Sequence, residues 1–496
     1  MKDVECVMLS ADALRARCEQ LVEHDGRMQM IYAWRDAEAA LEVRYLCAPA
    51  KGEAFEMWCC RPVNGRLPSV ADIVPLASWY EREMRDLFAL DFDDQPEPAP
   101  LVLHEGASSD HPPMEASHPR DRALAFERTV WAAPEISANG GVQRLPFGPV
   151  RADVMESAQF IFYYLGESIL HYQPRLFFKH RGLEKRFEGV APALGTVLAE
   201  RVSGVGSLAH VWAYCRAIES MAEAAVPRRA EILRALLAEL ERIYNHLHYF
   251  AHLASTTTLY VGDAQGRLLE ERAKQINARL TGSRFLRGVV APGGLRRDLT
   301  VTRDLLDDVA ALADDTEAYL KRLEATPSYM DRLIETGVLS YEIAYDQGAT
   351  GPVERASGLN RDLRRDHPYS VYPELAPEIP TDEDGDALAR ARVRAAELRQ
   401  SFELVPRLAG RLDDGPVRAE LSLPAGGTGL GWVEGARGAL YYAVHTDADG
   451  HLARVKVKSP SFSNWRVFPF TMHGGDIMDY AINEASFGLT IAGCDR

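Results

Sequence analysis

The sequence contains no CxxC pair, and its seven cysteines (Cys6, Cys18, Cys47, Cys59, Cys60, Cys215 and Cys494) follow no framework spacing. Adjacent Cys59 and Cys60 suit neither a disulfide scaffold nor a shared tetrahedral metal site, so the cysteines read as free thiols in a reducing compartment. No run approaches ~18 apolar residues, and no membrane-spanning helix is expected. The N-terminus, MKDVECVMLSADALRARCEQ, has no apolar core, which argues against a signal peptide. There is no surplus of positive charge: 56 Lys and Arg stand against 72 Asp and Glu, a net of −16 over 496 residues. That balance argues against nucleic acid as a partner, because phosphate backbones need clustered cations. A glycine-rich dinucleotide fingerprint and internal repeats are also missing.

What remains is ordinary globular composition, 47% hydrophobic and 26% charged. The fold class expected is α+β. Residues 1–110 read as a small α/β domain: helical periodicity over Leu9–Glu23, strands at Gln29–Trp34, Glu42–Leu46 and Phe55–Arg61, and a helix over Ile73–Phe88. Residues 111–145 read as a proline-rich linker, continuing a stretch that holds Pro96, Pro98, Pro100, Pro112, Pro113 and Pro119. Residues 146–496 read as mainly helical with small β elements. Helices are expected over Ala225–His252, Leu268–Leu280, Arg303–Glu324 and Asp386–Leu412, with an ordered polar loop at Gly348–Pro380. Strands are expected at Leu440–His445 and Leu452–Lys458.

Several short segments carry unusual chemistry. His180-Arg181-Gly182-Leu183-Glu184-Lys185 packs cations, an anion and a glycine into one sextet. Further along come Glu200-Arg201-Val202-Ser203-Gly204-Val205-Gly206-Ser207, His210, and Glu239-Leu240-Glu241-Arg242-Ile243-Tyr244-Asn245-His246. Gly351-Pro352-Val353-Glu354-Arg355-Ala356-Ser357-Gly358 follows, then Asp362 and Arg364, and the chain ends Thr490-Ile491-Ala492-Gly493-Cys494-Asp495-Arg496. Glu239, Arg242 and His246 share one helical face, which suits a buried ion-pair ladder or a charged conduit for protons. The Thr381–Asp386 run lacks calcium-loop spacing and reads as a helix-capping acidic segment.

In this order the segments resemble the large subunit of group 4 membrane-bound [NiFe] hydrogenases and its relative, the 49-kDa subunit of respiratory complex I. The N-terminal Glu81-Arg82-Glu83-Met84-Arg85-Asp86-Leu87-Phe88-Ala89-Leu90 segment is similar to the complex I 30-kDa subunit. The chain thus resembles a fusion of the two, as in formate hydrogenlyase-type large subunits. In that family nickel and iron are held by two CxxC pairs of thiolates. Here the first pair falls on Ser203 and Gly206 and the second on Thr490 and Gly493, with Cys494 one residue past it. No nickel–iron centre, no hydrogenase activity and no metal site are therefore expected. The chain ends at Arg496, where such hydrogenases often carry a tail cut after metal insertion. The quinone-holding His and Tyr of complex I correspond to Met155 and Gly204, and Arg151 follows the Gly148-Pro149 turn.

The resemblance implies a peripheral subunit on the cytoplasmic side of a membrane complex. Its expected partners are an iron–sulfur small subunit (complex I 20-kDa-like) and antiporter-like and complex I ND1-like membrane subunits. This chain itself would bind no cofactor; an iron–sulfur cluster belongs to the small subunit, and a quinone is possible. A cleft lined by Glu156, His180, Arg181, Ser203, His210 and Arg355 would receive the electron acceptor, with Glu156 at the position of the hydrogenase proton-relay glutamate. Two alternatives stand beside this: a scaffold that has lost redox chemistry, and an NADH-quinone oxidoreductase subunit with an altered quinone pocket, NADH binding elsewhere.

Overall fold

The computed structural model describes residues 4–36, 40–50, 52–107, 112–115, 118–119, 122–127, 129, 131–136, 140–150 and 156–496. Near the N-terminus, four strands form one sheet in the order Val4–Leu9, Phe55–Cys60, Leu41–Ala48, Arg27–Arg35. The first pair is parallel and the others antiparallel. A helix crosses over at Ala11–Glu23; Ser10 caps it by accepting the Ala13 N–H at 3.3 Å, and Leu14, Cys18 and Leu21 form its buried stripe.

The acidic residues of the expected Ile73–Phe88 helix, which runs Ala77–Phe88, are structural ties. Glu81 accepts from Ser69 Oγ (2.7 Å) and the Val70 N–H (2.9 Å). One Asp86 oxygen accepts three consecutive backbone N–H groups, Leu101 to Leu103, at 2.8 to 3.2 Å. That carboxylate pins the start of the proline-rich stretch. Further on, His104 Nε2 lies 2.8 Å from the Leu176 carbonyl and Arg175 pairs with Glu105 at 2.6 Å.

Residues 146–496 are mainly helical with small β elements, as expected, but the chain from Pro146 opens on strands that the sequence reading did not place. Gln143–Phe147, Gln159–Leu165 and Ser168–Arg175 form a three-stranded antiparallel sheet. The signal was present in the sequence, since Phe160, Phe162, Ile169 and Tyr172 are buried, separated by a Gly166 turn at φ +63°. The long helices begin with Ser207–Met221 and Arg228–Thr256, followed by Tyr260–Thr281, Arg303–Glu324 and Ala387–Ala409. The polar stretch after Gly348 is ordered as short helical turns at Pro352–Arg355, Leu363–Asp366 and Tyr372–Leu375, and Asp386 of the acidic run caps the helix after it by accepting the Ala389 N–H.

A second three-stranded antiparallel sheet, Thr428–Gly435, Gly438–Thr446 and Leu452–Lys458, lies at the centre, its middle strand buried throughout. Its first strand escaped the sequence reading because glycine weakens the strand signal. Those glycines serve close packing: a Cβ on Gly429 or Gly431 would lie 1.9 or 2.1 Å from the carbonyl oxygens of Ala217 and Ala213. The N-terminal sheet faces this central sheet. Tyr32 Oη sits 3.1 Å from His445 Nε2, and Trp34 stacks on the same imidazole at 4.0 Å between centroids.

Three of the unusual segments converge in one buried ion cluster. Glu83 binds Lys456 (2.6 Å) and Arg496 (3.0 Å); Glu184 binds Arg454 (2.8 Å) and Arg496 (3.1 Å). Burial pushes the Glu184 carboxyl up, but Lys456, Arg454 and Arg496 outweigh it and hold it well below its ordinary range. The terminal Arg496 thereby locks the N-terminal helix, the His180–Lys185 segment and the central sheet together.

Candidate functional site

The loop before the Ser207–Met221 helix and the last short helix, Ile491–Asp495, meet at a small cavity of about 30 Å³. Ser203, Gly206, His210, Ser459, Ser461 and Gly493 line it, with Glu241, Asn245 and Arg437 on another wall. Three of the four positions that the resemblance assigns to metal ligands therefore share one cavity. The fourth, Thr490, reaches it through Ser461: the two hydroxyls are 3.1 Å apart. Thr490 also caps the short helix by accepting the Gly493 N–H at 3.2 Å. Ser459 donates to the Gly493 carbonyl at 2.5 Å.

This donor set does not fit a nickel–iron group. It offers hydroxyls already bonded to one another and two glycines, where that group needs four thiolates. A Cβ at Gly493 would lie 2.7 Å from Thr490 Oγ1, so the Thr490 side chain occupies part of the space a cysteine side chain needs. Cys494 is fully buried, and burial pushes its thiol well up, away from the thiolate form.

The remaining predicted residues divide into two groups. Glu156 lies beside the cavity, behind the last helix. Its carboxylate accepts the N–H groups of Ile491 (2.6 Å) and Ala492 (3.1 Å) and pairs with Lys179 at 3.0 Å. It acts as an anion at a helix start, partnered by Lys179. Arg181 donates to the carbonyls of Arg201 (2.8 Å), Val202 (2.7 Å) and Ala492 (3.0 Å), clamping the two loops that flank the cavity. His180 Nδ1 sits 2.6 Å from the Asp495 carbonyl, and burial lowers its pKa. His210 lies 2.9 Å from Tyr442 Oη; burial, aided by the Arg181 charge, pulls it down to about 3, so the ring is neutral.

Arg355 does not join them. It is fully buried in a separate ion cluster, bound to Glu397, to Asp362 (3.3 Å) and to Glu434 (3.3 Å). Arg364 holds Asp362 at 2.8 Å. Arg242 holds Glu239 (3.3 Å) and Glu397 (3.5 Å), and His246 Nε2 is 2.8 Å from Glu397. The ladder read on the 239–246 helical face is thus a buried ion network. Met155 and Arg151 lie outside the described residues, and Gly204 is exposed.

The sequence reading passed over Ser459, Ser461, Arg437 and Glu241. Glu241 stands inside the quoted 239–246 motif, which was its available signal. Its carboxylate accepts the N–H groups of Leu208 (2.8 Å) and Ala209 (2.9 Å), and burial raises it to about 7. No motif pointed to Ser459 and Ser461, because their role depends on tertiary closeness to Thr490 and Gly493.

The fold defines a class: a two-part chain that joins a small N-terminal α/β region to a mainly helical region with a central sheet. The family described as respiratory-chain NADH dehydrogenase, 49 Kd subunit matches residues 265–425 and 419–496. The 30 Kd subunit family matches residues 7–122, and the nickel-dependent hydrogenase family residues 181–266. Formate hydrogenlyase subunit 5 of Escherichia coli is 30% identical over 86% of this chain and 77% of its own length. The fused C/D subunit of the NADH-quinone oxidoreductase of Gluconacetobacter diazotrophicus is 28% identical over 93% of this chain and 84% of its own. Among solved structures, a chain of the membrane-bound sulfane sulfur reductase, an archaeal respiratory membrane complex, superposes with a TM-score of 0.68 at 27% identity. That match covers 73% of this chain and all of the other. The chain belongs to the complex I 49-kDa and group 4 hydrogenase large-subunit family, with a 30-kDa-like region at its N-terminus. Among the described residues no helix is long and apolar enough to cross a membrane.

Proposed function

We propose that this chain is the large subunit of a membrane-associated oxidoreductase complex that works without a nickel–iron centre and has no hydrogenase activity. Electrons reach it from an iron–sulfur cluster in a small partner subunit and pass to a quinone or another acceptor, coupled to ion movement through antiporter-like and complex I ND1-like membrane subunits. The chain sits peripherally, on the cytoplasmic side. The observation that carries this reading is the hydroxyl- and glycine-lined cavity at Ser203, Gly206 and Gly493. It keeps the relatives' architecture while offering hydrogen-bonding groups in place of thiolates.

Within it, Ser203, Ser461 and neutral His210 are the groups placed to meet an uncharged acceptor. Arg181, His180 and Glu156 position the surrounding loops. Related complexes act on different acceptors, one of them named for sulfane sulfur, so a sulfur acceptor belongs in the test beside quinone. A non-redox scaffold is the second reading; it is favoured by the cavity hydroxyls already bonding one another.

The test is gentle extraction of the chain from native membranes, mass spectrometry of its partners, and reoxidation of the reduced complex. An iron–sulfur small subunit that co-purifies and is reoxidised by quinone or a sulfane sulfur compound supports the proposal. A complete complex whose cluster reacts with neither points to the scaffold. A chain that emerges alone overturns both.

A further inference from the structure

A second cavity, of about 60 Å³, lies between the N-terminal sheet and the C-terminal region. Asp25 and Gly52 form an exposed rim; Glu434, Tyr441 and Lys458 form a buried floor. The floor is polar and under-bonded. The Tyr441 hydroxyl is fully buried and has no protein partner. Lys458 Nζ, with three donors, reaches the Ala439 carbonyl at 3.2 Å. The Glu434 oxygens accept only long bonds, from Arg355 Nη1 and the Leu363 N–H, each 3.3 Å. A cavity with room for a few water molecules, whose polar groups lack partners, holds water.

We propose that this cavity is a water-filled inlet and that the Glu434 carboxyl at its floor is a proton-binding site exchanging protons with solvent through it. The surroundings of Glu434 decide its charge. Asp362 and Glu354 oppose ionisation from the short helical turns; Arg355 and Arg364 favour it. Arg242, on the 228–256 helix, donates to the Glu434 carbonyl at 3.0 Å, and Tyr369 Oη lies 2.9 Å from its N–H nitrogen. Glu397 faces Glu434 across Arg355. From the neighbouring strands come Tyr441 and Lys458, the latter pulled to about 7 by burial and then by Arg27. Burial first, then Asp362, raises Glu434 to about 8.

Charge counting gives the same answer. With Glu434 protonated, three guanidiniums (Arg242, Arg355 and Arg364) face three carboxylates (Glu239, Asp362 and Glu397), and burial keeps His246 neutral at about 4. Ionised Glu434 adds a fourth carboxylate with no fourth guanidinium, and the further cation facing it, Lys458, is itself pulled down to about 7 by burial. The next residues in the strand and turn, Gly435 to Arg437, line the central cavity. Glu434 therefore faces the water-filled inlet with its carboxyl and the central cavity with the chain that follows it. This site does not depend on the electron-transfer reading, and its test uses the chain alone.

The experiment is infrared difference spectroscopy of the full-length chain, wild type against Glu434→Gln, titrated in H2O and D2O. The expected result is a carboxylic acid band, absent in E434Q, protonated about ten to one at pH 7 and about one to ten at pH 9. It shifts within the mixing time on transfer to D2O. No band difference in folded E434Q, or exchange over hours, overturns the proposal. A high-resolution map of the wild type gives the second measurement, needing no variant: ordered waters bonded to Tyr441 Oη and Lys458 Nζ support it, and an empty cavity overturns it.

Discussion

The central cavity and the buried ion cluster share the Arg228–Thr256 helix and the Thr428–Gly435 strand, yet carry opposite chemistry. At the cavity, hydroxyls and glycines stand where relatives place thiolates. In the cluster, eight ionised or ionisable side chains from five separate elements, Arg355 and Arg364 among them, interlock with almost no exposure. The charge network and the cavity lining are thus built from different residues of the same two elements. The 239–246 and 351–364 motifs hold the scaffold, whereas residues 203, 206, 490 and 493 set the chemistry.

Breaking the cluster has the largest expected effect. Arg355→Met strands Glu397, Asp362 and Glu434 without their shared cation and destabilises the fold by about 3–5 kcal/mol. Chemical unfolding measures it; a loss under about 1 kcal/mol would show that the cluster is dispensable. Next is the rim of the central cavity. Glu156→Ala removes two helix-start hydrogen bonds to a charged acceptor, about 1–3 kcal/mol, and hydrogen exchange should accelerate across residues 491–496 ahead of the rest of the chain. A uniform acceleration would deny Glu156 its local role.

Gly493→Ala forces a Cβ against Thr490 Oγ1 and should cost about 1–3 kcal/mol. Adding Thr490→Ala should return part of that loss, since it removes the obstructing atom; no recovery would mean the backbone itself is the obstacle.

The smallest effect concerns pH. Glu434 is raised when folded, so the folded chain binds the extra proton and stability falls as pH rises toward about 8, levelling above it. Between pH 7 and 8 the wild type should lose about 1 kcal/mol relative to Glu434→Gln. Parallel melting curves at the two pH values check the sign.

Much of the architecture was legible because periodicity and capping are local. The Arg303–Glu324 helix and the Leu452–Lys458 strand fall where expected, and Asp386 begins its helix as the acidic run suggested. The strands at 159–175 and 428–435 were missed, one beneath the expectation of helices and one because Gly429 and Gly431 thin its apolar pattern. The site was legible as positions rather than as contacts. Ser203, Gly206 and Gly493 line one cavity, a grouping suggested by the resemblance rather than by anything local. Nothing local could place Arg355 away from them, couple Glu156 to Lys179, or bring Ser461 to Thr490, since these pairings join residues 23 to several hundred positions apart.

The most direct measurement is the nickel and iron content, per chain, of the intact complex purified from its native host. Iron without nickel is the predicted result, the iron belonging to the small subunit's clusters. Nickel near one atom per chain would contradict the account, because it would mean that serine, threonine and glycine positions hold a centre that thiolates hold elsewhere.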